Sequence, residues 1–268
     1  MYADCLIIEY LISHLPHKSM TMSNQRQRII KVCNINNAAV DLLQTGAYSG
    51  AIVQLREALG SAQREVVSAA TSSADEDSSQ CSKTDLGSSM NAPRAKIFSV
   101  KVGSPVCNED LHEEEVGVNI FCFYDRAFCF EIEEDGLDLD VDTICSILLY
   151  NIGVSYQMMG TPQALVVTRT FYDMSLQIVT QDEPNSYELG PQHHGSKNLF
   201  LLSLFNNIGY LHQHFMAVDS MRKCLKAMQS VPMQLSDDDN NSTAEFDFFY
   251  RHTLSFQSAL VIIAAPSA

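Results

Sequence analysis

Few stretches of this sequence place reactive side chains at spacings that chemistry could use. Asp138-Leu139-Asp140-Val141-Asp142 opens like a calcium loop, with carboxylates at alternate positions. Such a loop continues with Gly at its sixth place and Glu at its twelfth, where this chain has Thr143 and Leu149. The run instead predicts a helix start, where carboxylates face the positive end of the helix dipole. His112 beside Glu113, Glu114 and Glu115 could hold a cation loosely, but an acidic run is ordinarily a solvated face. His193-His194 has no Cys or carboxylate motif near it. His212 and His214 are two apart on an expected helix, so they point to different faces. There is no glycine-rich phosphate loop, GxSxG elbow or Cys–His signature. The sequence therefore nominates no catalytic, cofactor-binding or metal-ligating residue.

The eight cysteines form no CxxC pair or regular framework, and Cys122 and Cys129 sit among apolar neighbours as small hydrophobes do. That usage points to free thiols in a reducing compartment. Asn241-Ser242-Thr243 matches a glycosylation sequon, but Met1–Leu15 lacks a signal peptide's basic start and is interrupted by Asp4 and Glu9. Ala259–Ala265 falls short of the about 20 apolar residues a membrane span needs. The expected location is cytoplasmic. The chain carries 32 carboxylates against 17 Lys and Arg, a net charge of −15, and −12 of it lies between Asp75 and Asp142. Such a surface repels phosphate backbones and anionic lipid, so an apolar or basic protein partner is expected, not nucleic acid or membrane.

The elements that would position these residues are mainly helical. Residues 1–23 read as a poorly ordered N-terminal segment. Across 24–70, Ile29, Val32, Ile35, Ala39 and Leu42 form one helical stripe. Gly46 breaks it, and Tyr48, Ala51, Leu55, Ala58 and Leu59 form a second, so the pair predicts a helical hairpin. Residues 71–95 are rich in Ser and acidic residues and poor in large apolar ones, the composition of a disordered linker. Residues 96–135 read as a β-like insertion: Ile97, Val100 and Val102, then bulky residues on either side of Asp125-Arg126, which has the character of a polar turn. Two further hairpins are expected within 136–230, with a polar loop from Gln181 to Lys197. A last helix at 244–264, dense in Phe and Leu, would cap the open end of a stack.

A frame recurs among the hairpins. Leu149-Tyr150-Asn151-Ile152-Gly153-Val154-Ser155-Tyr156, ending at Gly160, is matched by Phe205-Asn206-Asn207-Ile208-Gly209-Tyr210 and by Asn36-Asn37-Ala38-Ala39. The frame resembles the first helix of a tetratricopeptide (TPR) repeat, in which a small residue lets two helices approach. Gly46-x-Tyr48-x-x-Ala51 resembles the start of the second helix, whereas Met216 stands where the third hairpin would have its turn glycine. The resemblance assigns repeat packing to Ala39, Gly46, Ala51, Gly153, Tyr156, Gly160 and Gly209. It also puts Asn37, Asn151 and Asn207 on the face that can hold a peptide backbone, a candidate partner groove. A buried amide without a partner costs about 1–3 kcal/mol, so each should meet a ligand, a water or a neighbouring helix. The carboxylate clamp of chaperone-binding TPRs is absent, since Tyr150 and Asn206 stand where lysine would be wanted and Val154 and Tyr210 where asparagine would.

The fold class expected is therefore mainly α, with TPR-like antiparallel hairpins, a small β-hairpin insertion and an acidic linker. The function expected is a noncatalytic scaffold for protein–protein interaction. Two alternatives remain: a carboxylate- or metal-dependent enzyme around His112, Glu113 and Asp138–Asp142, and a structural subunit docking through its C-terminal helix.

Overall fold

A computed structural model describes residues 22–72, 96–103, 121–132, 140–181, 194–231 and 245–251. Its helices are α1 (Met22–Gln44), α2 (Tyr48–Ser72), α3 (Val141–Met159), α4 (Pro162–Gln181), α5 (His194–His214) and α6 (Val218–Ser230). Residues 245–251 are also helical. The strands are β1 (Lys96–Lys101) and β2 (Arg126–Glu131). The expected segment 1–23 and linker 71–95 lie outside the described residues except for Met22, Ser23, Thr71 and Ser72, which are helical. The expected helix at 244–264 is described only over 245–251.

Helix ends follow from local chemistry. Asp140 caps α3, its carboxylate accepting from Thr143 N at 2.6 Å and from Thr143 Oγ1 at 2.6 Å. Gly160 ends α3 in the left-handed region (φ 67°) and its N–H reaches Gln157 O. Gly46 (φ 79°) ends α1, with Gly46 N bonded to Leu43 O and Ala47 N to Leu42 O. Met216 (φ 56°) ends α5 with the same pair of bonds, Met216 N to Gln213 O and Ala217 N to His212 O. Two of the expected polar segments are shorter than the sequence suggests. His194, expected in a loop, opens α5, and Arg126, expected in a turn, opens β2.

Each helix packs on the next along the chain, and α1 also touches α3. Ser146 and Ser175 join α3 to α4 by reciprocal bonds, each hydroxyl donating at 2.8 Å to the other's carbonyl. The strands pair antiparallel, Ser99 opposite Phe128 and Val100 opposite Ala127. β2 packs on α1 and α3 and β1 on α5, so the small sheet lies against the first helices of all three hairpins. The core centres where they meet: Phe128, Tyr150, Phe200 and Tyr172 are at most 2% exposed, with neighbouring ring centroids 5.2–5.5 Å apart.

Candidate functional site

Asn37, Asn151 and Asn207 come from α1, α3 and α5, and all three take hold of one extended stretch of this chain. Asn151 Oδ1 accepts from Phe128 N at 2.9 Å, and its Nδ2 donates to Phe128 O at 2.8 Å. Asn37 treats Phe130 alike, accepting at 2.9 Å and donating at 2.7 Å. Asn207 accepts from Tyr124 N at 2.9 Å and donates to Tyr124 O at 3.2 Å. Between them Tyr150 Oη donates to Arg126 O at 3.2 Å, and beyond them Asn206 Nδ2 donates to Cys122 O at 2.8 Å. Gln213 closes the series on Phe121, accepting from its N–H at 3.0 Å.

The even-numbered residues 122 to 130 are held because strand backbone repeats with a period of two. Val102 N bonds to Asp125 O, which makes Ala127 and Cys129 the residues that exchange ladder bonds with β1. Phe128 and Phe130 then present N–H and C=O to the opposite edge. Side chains of three helices serve there as a third strand would. The same capture keeps the chain straight through Asp125-Arg126, so no turn forms.

A second set of bonds links hairpin to hairpin. Asn151 Nδ2 donates to Asn36 Oδ1 at 2.8 Å, and Asn207 Nδ2 donates to Tyr150 Oη at 3.1 Å. In both, the residue just before one ladder asparagine accepts from the next ladder asparagine. Asn206 Oδ1, at that position in the last hairpin, is buried and has no partner among the described residues.

Sequence reasoning singled out the three asparagines but not Asn36, Tyr150, Asn206 or Gln213. The doubled Asn-Asn at 36–37 and 206–207 carried the signal. The asparagine face is not an open groove, because Asn151 and Asn207 are fully buried and their amides are occupied by this chain. Phe121, Tyr124, Phe128 and Phe130 are all at most 3% exposed. At about 1.5–3 kcal/mol for each buried side chain, their burial contributes on the order of 6–12 kcal/mol, as much as the whole stability of a typical domain. An outside peptide would have to unfold this region to enter.

Of the residues assigned to repeat packing, Gly46 and Gly160 are exposed turn glycines whose added Cβ would meet nothing closer than 4.0 Å, whereas the others make close contacts of several kinds. A Cβ on Gly153 would lie 2.4 Å from Tyr172 Cε1 of α4, and one on Gly209 would lie 2.3 Å from Phe121 Cε1. Gly153 thus admits the partner helix, whereas Gly209 admits the extended segment. Ala39 and Ala51 are fully buried, and Tyr156 stacks on Phe171 at 5.8 Å while accepting from Arg56 Nη2 at 2.9 Å.

Burial governs the titratable groups. It raises Tyr150 and Tyr172 well above the ordinary phenol value and raises Cys33, Cys129, Cys145 and Cys224 to about 12. It lowers His212, with the Arg169 charge acting in the same sense and Asp173 opposing. His112, Glu113 and Asp138 lie outside the described residues. Among the described residues no three His, Cys, Asp or Glu side chains converge, and no helix is long and apolar enough to cross a membrane. No family model, curated protein or solved structure matches the chain.

Proposed function

We propose that this chain is a noncatalytic, TPR-like scaffold for protein–protein interaction, whose asparagine face is filled by its own residues 121–130. The single observation that carries the reading is the bidentate grip of Asn37, Asn151 and Asn207 on Phe130, Phe128 and Tyr124. Equal intervals support the repeat: Asn37 to Gly46, Asn151 to Gly160 and Asn207 to Met216 each run from ladder asparagine to left-handed turn residue. The ladder makes the three hairpins and the segment one rigid body, and partners then bind its outer surfaces. A protein or peptide with apolar or basic character suits the acidic chain.

The test is affinity capture with the full chain, read against variants of exposed residues and of the ladder. Partners should be retained at fixed stoichiometry, lost on substituting an exposed patch that leaves the fold intact, and lost on Asn151→Leu only together with the fold. Selective loss on Asn151→Leu in a folded protein would instead make the ladder the partner site. Turnover of a substrate by the full chain, abolished by Asp140→Ala, would favour the enzyme reading.

A further inference from the structure

Val53-x-x-Arg56 on α2 and Val166-x-x-Arg169 on α4 repeat one pattern. Arg56 meets Tyr156 of α3, and Arg169 lies near His212 of α5, which stands after Asn207 as Tyr156 stands after Asn151. Both helix pairs run antiparallel. Beyond Arg56 and Tyr156, the first hairpin turn meets Met158 and Met159, and behind Arg169 and His212, Tyr172 meets Asn207. One helical turn nearer the hairpin turns, Val53 therefore stands beside Met159 and Val166 beside Phe215, all four exposed. Met216 and Val218 continue the row at the third turn, Met216 held out in left-handed backbone and 82% exposed. Among the described residues, these six are all but two of the exposed large hydrophobics. The same end of the body holds a hollow of about 520 Å³, lined by Gly46, Tyr48, Gly50, Met158 and Met159.

We propose that this turn end is the interface of a twofold dimer, in which a second copy lays its row antiparallel on the first. The interface leaves the asparagine ladder untouched and goes beyond the scaffold reading above. At their exposures the six side chains offer on the order of 500 Å² of apolar surface, as much as the largest patch a monomer ordinarily leaves open. With a polar rim that approaches the roughly 800 Å² each subunit buries in a standard interface. Met, Phe and Arg are also the residues such interfaces favour. The arginines behind the row do not leave it strongly basic: Arg169 pairs with Asp173 at 3.5 Å and Arg222 with Asp219 at 3.3 Å. Anionic lipid finds little net charge there, whereas a surface of both signs can complement its own copy. The antiparallel arrangement follows from shape and charge together. It sets the third hairpin of one copy on the first hairpin of the other, so protruding Met216 enters the hollow beside Met159. It also brings exposed Asp219 to Arg56 of the second copy, while parallel rows would set Arg56 against Arg56.

Sedimentation of the full chain over a concentration series tests the dimer. A reversible monomer–dimer equilibrium with a micromolar constant is expected. Met216→Asp, a residue that tolerates left-handed backbone, and Val166→Asp should each weaken it at least tenfold. Tyr250→Ser, exposed on the last helical segment, should leave it unchanged. At low salt, Arg56→Asp and Asp219→Arg should each weaken association at least threefold, and mixing the two variants should restore it, because each supplies the charge the other lacks. Misfolded variants could not give that rescue. Slow amide exchange at Phe128 and Phe130 in every variant confirms the body intact. A chain monomeric to about 200 µM overturns the proposal, as does a dimer indifferent to Met216→Asp and Val166→Asp. A mixture no tighter than either charge variant alone overturns the antiparallel arrangement. Association lost to Tyr250→Ser assigns the contact to the last helical segment, and a monomer that sediments with anionic vesicles until Met216→Asp is made assigns the row to lipid. Either result overturns the dimer.

Discussion

Asn151 illustrates how much one amide can carry. Its three hydrogen bonds satisfy both backbone groups of Phe128 and tie α3 to Asn36 of α1. Replacing it with leucine of similar size keeps the volume but leaves a buried N–H without a partner. Asn151→Leu should lower unfolding free energy by about 3 kcal/mol in urea, and Asn37→Leu, at a half-buried site, by about 1 kcal/mol. Equal and negligible losses would show that water replaces the ladder readily. His212 gives a pH signature. Burial lowers its folded pKa below the usual 6.5, so it contributes stability above that value that is lost as pH falls through the lowered one. His212→Gln should flatten the acid limb of a stability–pH profile below pH 6.5 and leave the limb near pH 8 unchanged. The asparagines were legible as candidates because amides on an apolar helix stripe demand partners. Their actual partners were not, since Asn37 and Phe130 lie 93 residues apart.

At the scale of elements, the three hairpin turns differ in one informative way. Gly46 and Gly160 adopt the left-handed region without a Cβ penalty, whereas Met216 adopts it at φ 56° with most of its side chain in solvent. Left-handed backbone costs an L-residue roughly 1–2 kcal/mol. Met216→Gly should therefore stabilise the protein by about 1 kcal/mol, less whatever entropy glycine adds to the unfolded chain. Gly160→Ala should cost about 1 kcal/mol for the mirror reason, and Gly153→Ala more, because its Cβ would meet Tyr172. Tyr172→Leu added to Gly153→Ala should recover part of that loss if the ring is the obstacle. Thermal or urea unfolding of the four variants decides all of this. The helical hairpins could be read from apolar spacing and turn glycines. The sheet could be read only as strands, because β1 pairs with a strand beyond a long connection, and no local signal distinguishes Asp125-Arg126 held straight from Asp125-Arg126 turning.

For the whole molecule, the extended segment is the feature that unifies the parts. It meets α5 at Tyr124, α3 at Phe128 and α1 at Phe130, and Glu245 of the last helical segment forms an ion pair with Arg126 at 2.7 Å. Phe248 and Phe249 of the same segment pack on Tyr124 at 5.5 and 4.8 Å. The helix expected to cap the last hairpin thus packs, over its described residues, on the inserted segment. Buried thiols report the integrity of this body. Cys33, Cys129, Cys145 and Cys224, each raised to about 12, should stay unreactive to a thiol reagent at pH 8 until denaturant unfolds the protein. Reaction of Cys129 in native buffer, ahead of the other three, would show that the segment opens on its own.

Amide hydrogen exchange at Phe128 and Phe130 tests the ladder most directly, since neither N–H is paired by β1. Both should exchange as slowly as the centre of α3, and Asn151→Leu should speed Phe128 by on the order of 100-fold while moving Phe130 far less. Native-state exchange of both amides at the rate of a free strand edge would contradict the ladder.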